Sequence, residues 1–277
     1  DLHSFPTRRS SDLQYDNSVS HALEYYIADF ALSRFAEALG KKKDAEMFYK
    51  RSLGYKHYYS KEFGTFRPIL PDGTFYSPFN PRQGENFEPN PGFHEGSAWN
   101  YSFYVPHDVY GLAKLMGGKN PFIKKLQMVF DEGLYDPANE PDIAYAHLFS
   151  YFRGEEWRTQ KETQRLLDKY FTTKPNGIPG NDDTGTMSAW AIFNMIGFYP
   201  DCPGLPEYTL TTPVFNKVTI RLDPKWYKEK ELVIESNRTQ PGTLYINKVL
   251  LNGKKFNQYR ITHDELVHSQ RILFDLK

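Results

Sequence analysis

The stretch GNDDTGTMSAWAIFNMIGFYPDCPGLPEYTLTTPVF, residues 180–215, contains both kinds of structure that we expect in this chain. From Met187 to Phe198, apolar side chains recur at helical spacing and predict an α-helix. After Pro200 the pattern changes to short β-branched runs such as TLTTPVF, which are typical of strands. The residues predicted to face inward from the helix are Trp190, Ile192, Phe193 and Ile196.

Upstream of this stretch the pattern is mainly helical. Apolar residues that recur every three or four positions predict helices over 16–39, 42–58, 97–116, 119–131, 142–153 and 156–171, and Pro106 is expected to interrupt the one over 97–116. Residues 60–95 are instead rich in Pro, Gly and Phe, and a loop of that length inside a compact domain usually has a function. No repeat of fixed length is visible, which argues against a helical-repeat scaffold for protein partners.

Downstream of the stretch we expect only strands. Short β-branched runs lie at 209–222, 230–236, 242–253 and 271–276, and Asn252-Gly253 is typical of a tight hairpin turn. The fold class predicted from this order is mainly α with a C-terminal β segment. We expect a helical domain over 14–200 and an all-β segment over 201–277.

The first 13 residues, DLHSFPTRRSSDL, differ from the rest. They have neither an initiator Met nor the apolar core of a signal peptide, and they resemble translated sequencing-adapter sequence. We therefore expect residues 1–13 to be a foreign or disordered tail, and the true N-terminus, with any export signal, to be missing.

Composition excludes several classes of function. Lys and Arg total 34, as do Asp and Glu, so the formal net charge is zero and no basic stripe predicts binding to nucleic acid or an anionic membrane. Cys202 is the only cysteine, which rules out a disulfide framework within the chain. No apolar run reaches the ~18 residues of a membrane span. Aromatic residues make up 16%, which suits either stacking on sugars or filling of helix interfaces.

The first of three polar clusters is GFHEGSAWNYSFYVPHD, residues 92–108. Glu95 follows the long loop and lies close to a predicted helix start, among several aromatic residues. Partial desolvation there would raise the pKa of its carboxyl, as a general acid needs. The alternative is a carboxylate stabilised by the positive end of the helix dipole, which would lower that pKa instead.

The second cluster is ANEPDIAYAHLF, residues 138–149. Asn139, Glu140 and Asp142 bring hard oxygen atoms together around one proline, and such atoms suit Ca²⁺, which takes six to eight of them. The alternative is ordinary helix capping by Asn139 with a first-turn acid at Asp142. The spacing of an EF-hand loop is absent, so any calcium site would draw on distant segments.

The third cluster is PGNDDTGTMSAW, residues 179–190. Two glycines let the backbone turn tightly around Asn181, Asp182 and Asp183. Adjacent carboxylates repel each other unless water, a cation or hydrogen-bond donors attend them, and a carboxylate directed at water is what a general base requires. The alternative is an Asx-turn that leads into the helix. Glu95 and Asp183 together suggest a carboxylate pair, which inverting glycosidases place ~6.5–9.5 Å apart.

Three segments make the chain recognisable: EGSAWNYSFYVPHD, NEPDIAYAHLF followed by GEEWRTQ, and the stretch quoted at the outset. Their sequence, order and spacing resemble the C-terminal catalytic region of glycoside hydrolase family 92, over roughly residues 14–277. The resemblance implies an exo-acting, calcium-dependent α-mannosidase that inverts anomeric configuration. It also implies a partial (α/α)₆-type helical barrel joined to β-sandwich-like strands, a mannose-containing glycan as substrate, and a secreted or periplasmic protein.

The resemblance also implies roles for individual residues. Glu95 matches the general acid and Asp183 the general base, with Asn181 where some relatives place a second water-holding group. Asp182 belongs to the same catalytic motif. The segment associated with calcium corresponds to Asn139 and Glu140, and this calcium would contact the mannose 2- and 3-hydroxyls and favour a distorted ring. The residues that would shape or brace the substrate pocket are Trp99, His107 and Asp108.

Some features depart from the family pattern. Ala191, His147 and Ser150 stand where an aromatic residue, Tyr and Asn are more usual. The family's N-terminal β-sandwich and early barrel helices are also absent, so apolar faces meant for burial would be exposed. We therefore expect the isolated chain to be poorly stable and inactive. The alternatives are a non-catalytic carbohydrate-binding relative and a different helical-barrel glycosidase that does not need calcium.

Overall fold

The computed structural model describes residues 17–84, 90–240 and 242–277. The expected tail at 1–13 lies outside these residues, as does the part of the expected loop at 85–89. The chain divides into two compact units. The first runs to Tyr145 and includes Cys202–Leu205, and the second comprises Ala146–Asp201 and Pro206–Lys277. The expected domain limits at 14–200 and 201–277 stay a prediction.

The first unit is mainly helical. Its helices are α1 (Ser18–Ala38), α2 (Lys42–Ser52), α3 (Ala98–Tyr101), α4 (Val109–Leu115) and α5 (Lys119–Asp131), with 3-10 helices at Leu53–Tyr58, Pro106–Asp108 and Glu140–Asp142. A two-stranded antiparallel ribbon joins β1 (Tyr59–Ser60) to β2 (Thr65–Phe66). Helices α1 and α2 pack against each other as an αα-hairpin.

The helical segment over 97–116 is interrupted at Pro106, as the sequence predicts. It consists of α3, a 3-10 turn and α4. Proline lacks a backbone N–H and disfavours helical geometry in the residue before it, so Pro106 separates the two helices. Asp108 then begins α4, because its side chain accepts a hydrogen bond from the backbone N–H of Gly111 at 3.0 Å.

Aromatic side chains fill much of the interior of the first unit. Phe103 is buried and packs edge-on against Phe122 at 5.1 Å and Tyr145 at 5.3 Å between ring centroids. Tyr55 and Phe66 form a similar buried pair at 6.3 Å. For these residues, the interpretation as packing side chains is the one that the structure supports.

The second unit contains two longer helices and two sheets. Its elements are α6 (Glu156–Tyr170), α7 (Thr186–Ile196), β3 (Phe198–Tyr199), β4 (Glu207–Leu210), β5 (Lys217–Arg221), β6 (Glu231–Arg238), β7 (Ile246–Leu251), β8 (Lys254–Phe256), β9 (Arg260–Thr262), α8 (His263–Val267) and β10 (Arg271–Leu276). The segment predicted as a helix over 142–153 forms a 3-10 helix at Tyr145–Tyr151. Helical structure followed by sheets confirms the predicted order of elements, but α8 lies in the segment where only strands were expected, because Thr262 and Glu265 form a capping box that begins a short helix there. The barrel and sandwich descriptions stay predictions.

One sheet has the order β3-β4-β9 and the other the order β5-β6-β10-β7-β8. Strands β6 and β10 pair in parallel, and the other neighbours are antiparallel. The predicted hairpin turn is confirmed: Asn252 and Gly253 both have positive φ, at 48° and 81°, and join β7 to β8. Alternate side chains of the strands enter one buried apolar cluster that includes Leu232, Ile234 and Phe274.

Helix α7 buries Met187, Trp190, Ala191 and Asn194. Ile192, which its spacing predicts as an inward residue, is 56% exposed because it points away from that face. The predicted packing of Phe193 and Ile196 is observed, since both lie against the apolar cluster of the sheets. None of the helices within 17–84, 90–240 and 242–277 has both the length and the apolar character needed to cross a bilayer.

Candidate functional site

Glu95 lies in a turn just before α3 with an unusual backbone. Its φ is 51°, in the left-handed region that side chains other than Gly, Asn and Asp rarely adopt. The side chain is 54% exposed, and its Oε1 lies 3.2 Å from Nε2 of His94. The helix cap belongs to Ser97, whose side chain accepts a hydrogen bond from the backbone of Trp99. Glu95 is therefore outside the helix, and the alternative role of a helix-terminal carboxylate does not apply to it.

Neighbouring contacts fix this turn in place. The backbone N–H of His94 donates to Oγ of Ser20 on α1 at 2.9 Å, and the hydroxyl of Tyr101 donates to the carbonyl of His94 at 2.8 Å. Burial raises the pKa of Tyr101 to about 12, and the negative charges of Glu24, Asp142 and Glu95 add to the effect. At neutral pH Tyr101 is therefore a hydrogen-bond donor and not an anion.

Asn139 connects the second predicted cluster to this turn. Its side chain is buried, and Nδ2 donates a 2.7 Å hydrogen bond to the backbone carbonyl of Glu95. The Asn139 side chain makes no capping hydrogen bond to the 3-10 helix that follows it. The capping interpretation of Asn139 is therefore not what the structure shows. Two segments that are 44 positions apart in sequence meet at Glu95.

Glu140 shares its surroundings with a residue that the sequence did not single out. Glu24, on α1, accepts a 2.8 Å hydrogen bond from the hydroxyl of Tyr104. Burial raises the pKa of Glu24 and the negative charge of Glu140 raises it further, although the hydrogen bond from Tyr104 opposes the change. No pattern links Glu24 to residues more than 70 positions away, so only the folded chain reveals this pairing.

Asp142 is a fully buried carboxyl beneath the same segment. Its Oδ2 accepts hydrogen bonds from Nδ2 of Asn100 at 3.0 Å and from the backbone N–H of Asp136 at 2.7 Å. Burial raises its pKa well above the ordinary value, although both hydrogen bonds oppose this effect. Asp142 thus connects the 3-10 helix at Glu140–Asp142 to α3 by a buried hydrogen bond, which indicates a structural role.

The turn that contains Asn181, Asp182 and Asp183 is exposed and leads directly into α7. Asp182 accepts two hydrogen bonds from Ser188, one from the backbone N–H at 2.8 Å and one from the hydroxyl at 2.5 Å. These bonds lower the pKa of Asp182. The bond to the backbone of Ser188 joins residues six positions apart, so it is not that of the predicted Asx-turn, in which the side chain bonds the backbone two residues on; it holds Asp182 against the first turn of α7 instead.

Asp183 differs from its neighbour. Its backbone carbonyl accepts hydrogen bonds from the hydroxyls of Thr184 at 2.7 Å and Thr186 at 2.6 Å, while its exposed side chain extends from the turn. Thr184 has a φ of 51°. The two carboxylates predicted to be catalytic thus lie in or beside left-handed non-glycine residues, a form of backbone strain that clusters at functional sites.

The residues predicted to shape the pocket are partly or fully buried and engaged with protein groups. The side chain of Asp108 accepts a 2.7 Å hydrogen bond from Tyr55 and lies 3.2 Å from Nζ of Lys56. Trp99 is 9% exposed, and Nζ of Lys125 lies 5.9 Å from its ring centroid. These contacts fit a bracing role better than direct contact with a substrate.

His107 packs between Phe30 and Tyr55, with ring centroids 5.6 and 5.9 Å away. Its Nε2–H donates to the carbonyl of Ser52 at 2.9 Å. Burial lowers the pKa of His107 to about 4. The imidazole is therefore neutral in the folded chain at neutral pH, and it joins the Pro106–Asp108 turn to the end of α2.

The low pKa of His107 predicts a pH-dependent stability. An unfolded histidine titrates near 6.5, so between pH 6.5 and about 4 the unfolded chain binds a proton that the folded chain does not. As far as His107 determines it, the free energy of unfolding is therefore highest above pH 6.5. It decreases as the pH falls towards 4, by about 3 kcal/mol at most. We expect His107→Gln to make the free energy of unfolding less dependent on pH. Urea unfolding at several pH values would measure this change.

The matched control for this experiment is His57→Gln, because His57 is exposed. It should leave the pH profile of the chain unchanged. Equal pH slopes for the wild type, His107→Gln and His57→Gln would show that His107 titrates normally in the folded chain.

The structure therefore places some of the predicted site residues in the first unit and the others in the second. Glu95, Asn139 and Glu140 lie in the first unit with Trp99, His107 and Asp108, whereas Asn181, Asp182 and Asp183 lie in the second. Within the described ranges, no three His, Cys, Asp or Glu side chains are arranged to hold a metal ion.

His147 and Ser150, which depart from the family pattern, are buried in the second unit. Nε2 of His147 lies 2.9 Å from Oδ1 of Asn194, and its ring stacks on Tyr199 at 4.3 Å. Ser150 donates a hydrogen bond to Thr159 at 3.0 Å. Both substitutions are thus accommodated by packing and hydrogen bonds inside the unit.

Comparison with known proteins gives a consistent result. The family model described as glycosyl hydrolase family 92 catalytic domain matches residues 3–277. The solved α-mannosidase BT3965 of Bacteroides thetaiotaomicron is 31% identical, with a TM-score of 0.87 over 95% of this chain and 35% of its own. The structure of its complex with mannoimidazole gives a TM-score of 0.88 at 30% identity and covers 95% of this chain and 36% of its own.

Two further relatives agree with this result. The inverting mannosidase BT2199 of Bacteroides thetaiotaomicron is 30% identical, with a TM-score of 0.84 over 95% of this chain and 38% of its own. An uncharacterized secreted glycosidase of Arthroderma benhamiae is 26% identical over 265 residues, or 89% of this chain and 34% of its own. The chain thus spans a little over a third of the length of these relatives. From the match over nearly its whole length, the chain belongs to glycosyl hydrolase family 92.

Proposed function

We propose that this chain carries the two catalytic carboxylates of an exo-acting α-mannosidase that inverts anomeric configuration. Its substrates would be glycans with terminal α-linked mannose. The observation that supports this proposal best is the 2.7 Å hydrogen bond from buried Asn139 to the carbonyl of Glu95. It connects the residue proposed as general acid to the segment proposed to bind calcium.

Glu95 is the proposed general acid. A general acid must present a protonated oxygen to the leaving group while its backbone stays fixed. The turn around Glu95 is fixed by Ser20, Tyr101 and Asn139, whereas its own carboxyl is half exposed. His94, at 3.2 Å, is close enough to exchange a proton with it. Glu95 would donate its proton to the glycosidic oxygen as the bond to the anomeric carbon breaks.

Asp183 is the proposed general base. Asp182, beside it, is engaged by Ser188, which leaves Asp183 as the acidic side chain of the turn that extends towards solvent. Its carboxylate would remove a proton from the attacking water on the face of the sugar opposite to the leaving group. Asn181, exposed in the same turn, is proposed to help to orient that water.

Calcium is the proposed cofactor, and the donor chemistry of the first unit fits it. Asn139 uses Nδ2 for Glu95, so its Oδ1 can serve as a ligand, and Glu140 and Glu24 supply carboxylates whose mutual repulsion a cation would relieve. When bound, calcium would provide ligand positions for sugar hydroxyls and favour a distorted ring. We propose Asn139 and Glu140 as its protein ligands, with further oxygen atoms from elsewhere.

We also propose that the protein acts outside the cytoplasm, in the periplasm or after secretion. The support is the similarity to the secreted glycosidase of Arthroderma benhamiae. Cell fractionation of the source organism, followed by mannosidase assays on each fraction, would test this proposal.

The experiment that tests the function follows mannose release from α-mannobiosides by NMR, using the complete gene product that contains these residues. We expect β-mannose to appear first, since inversion at an α-linkage gives the β-anomer. Activity should disappear in EGTA and return with added Ca²⁺. Appearance of α-mannose first would contradict inversion, whereas indifference to EGTA would contradict the role of calcium. Absence of mannose release in all conditions would contradict the enzyme assignment itself.

A further inference from the structure

Asn17, the residue that precedes α1, makes no side-chain hydrogen bond that caps the helix. Asparagine is among the residues preferred at that position, because its side-chain oxygen normally accepts a hydrogen bond from the first turn. The backbone of Asn17 is instead left-handed, with a φ of 72°, and its Nδ2 lies 3.4 Å from Nδ1 of His94. The Asn17 side chain is thus directed at the turn that contains Glu95 and not at its own helix.

Backbone contacts fix the start of α1 against this turn. The carbonyl of Gly92 accepts hydrogen bonds from the backbone N–H groups of Val19 at 2.9 Å and Ser20 at 3.2 Å, both in the first turn of α1. Gly92 has a φ of 90°, and a Cβ atom at this position would lie 2.3 Å from Cγ of Pro68. The backbone N–H of His94 also donates to Oγ of Ser20. The contact between the Asn17 and His94 side chains therefore lies between two segments that are held together independently of it.

The hydrogen bonds of the His94 ring have a defined direction. An amide nitrogen only donates, so Nδ1 of His94 is the acceptor for Nδ2 of Asn17. A neutral imidazole that accepts at Nδ1 carries its proton on Nε2. Nε2 lies 3.2 Å from Oε1 of Glu95, so its N–H donates to Oε1. Because Oε1 is an acceptor in this arrangement, the proton of a protonated Glu95 carboxyl is carried by Oε2.

We propose that His94 and Asn17 are positioning residues for the general acid. His94 determines which oxygen of Glu95 delivers the proton, and Asn17 selects the tautomer of His94 that does so. The N–H of His94 still donates to Oε1 after Oε2 has given its proton to the glycosidic oxygen, so it stabilises the carboxylate that forms. This inference rests on the role of Glu95 proposed above.

The dependence of the rate on the leaving group tests the inference, because a good leaving group departs without a proton from the general acid. In the complete gene product, kcat/KM would be measured for an α-mannobioside, whose alkoxide leaving group needs that proton, and for 2,4-dinitrophenyl α-mannoside, whose leaving group does not. The variants are His94→Leu, which removes the donor, His94→Gln, whose side-chain N–H can replace it, and Asn17→Ala. Glu95→Gln reports on the acid itself. The matched control is His57→Leu, since His57 is exposed and lies outside the turn.

We expect His94→Leu to lower kcat/KM for the mannobioside about tenfold, which is part of the about 10²–10⁴-fold that general-acid catalysis contributes. Its kcat/KM for the dinitrophenyl mannoside should stay close to that of the wild type, which also shows that the variant is folded. His94→Gln should recover much of the lost activity, and Asn17→Ala should show the same selective loss to a smaller extent. His57→Leu should change neither value.

Failure of this inference is distinguishable from failure of the proposed function. Equal losses on both substrates in Glu95→Gln would contradict the proposed acid, and this inference with it. A selective loss in Glu95→Gln but none in His94→Leu would overturn this inference alone. Equal losses on both substrates in His94→Leu, or no recovery in His94→Gln, would also overturn it, since His94 would then have only a structural role. Unchanged kinetics in Asn17→Ala would overturn the role of Asn17.

Discussion

Replacing Asp183 with Asn in the complete gene product is expected to lower kcat for an α-mannobioside by about 10²–10⁴-fold, the range that general-base catalysis contributes. KM should change little, because the amide keeps the size and hydrogen-bonding capacity of the side chain. The loss arises from the proton that Asn cannot accept from the attacking water. Steady-state kinetics at several pH values would measure it, and the limb of the pH profile that belongs to the base should disappear.

The adjacent Asp182→Asn is the informative comparison. Asp182 accepts hydrogen bonds from the backbone and hydroxyl of Ser188 at the start of α7. Loss of its charge should therefore lower the stability of that helix end by about 1 kcal/mol and should lower kcat less than tenfold. A larger loss of kcat in Asp182→Asn than in Asp183→Asn would reverse the assignment of the base.

Replacing Arg260 with Ala is expected to destabilise the second unit by about 3–5 kcal/mol, because it leaves a buried charge without its partner. Arg260 lies 2.9 Å from Asp201, whose side chain is 0% exposed, and 3.1 Å from Glu207. Its guanidinium also stacks on Tyr151, 3.9 Å from the ring centroid. Urea unfolding of the complete gene product, followed by far-UV circular dichroism, would measure the change in free energy.

The matched control is Arg271→Ala. Arg271 pairs with Glu235 at 2.6 Å, but its side chain is 55% exposed, so the loss should be at most about 1 kcal/mol. Adding Asp201→Asn to Arg260→Ala should restore part of the stability, since it removes the unpaired buried charge. Equal effects of Arg260→Ala and Arg271→Ala would show that burial of Asp201 does not matter.

Sequence periodicity predicted the limits of the long helices well. Helices α1, α5 and α6 lie within two residues of their predicted limits, because each has one clear buried face. The same method was wrong for 142–153, where a 3-10 helix replaces the predicted α-helix. Tyr145, Leu148 and Phe149 are all fully buried there, so surrounding contacts and not periodicity determine the local geometry.

For the candidate site, the sequence predicted residues that could carry chemistry but not how their segments meet. The clusters around Glu95 and Asp183 were visible because glycines and acidic residues interrupt the apolar pattern. The bond between Asn139 and Glu95 and the proximity of Glu24 to Glu140 were not predictable, because they join segments far apart in the chain. His107 and Asp108 looked like pocket residues from their motif, yet both make their contacts inside the protein.

The left-handed backbone at Glu95 has a consequence for engineering of this protein. Glutamate in that conformation costs of order 1–3 kcal/mol, which Gly or Asn would largely avoid. Screens that reward only heat resistance or expression yield would therefore favour loss of the carboxyl that we propose as the acid. A more stable variant of this chain that is meant to keep the proposed acid therefore needs Glu retained at position 95 from the first round of selection, with improvements sought at other positions.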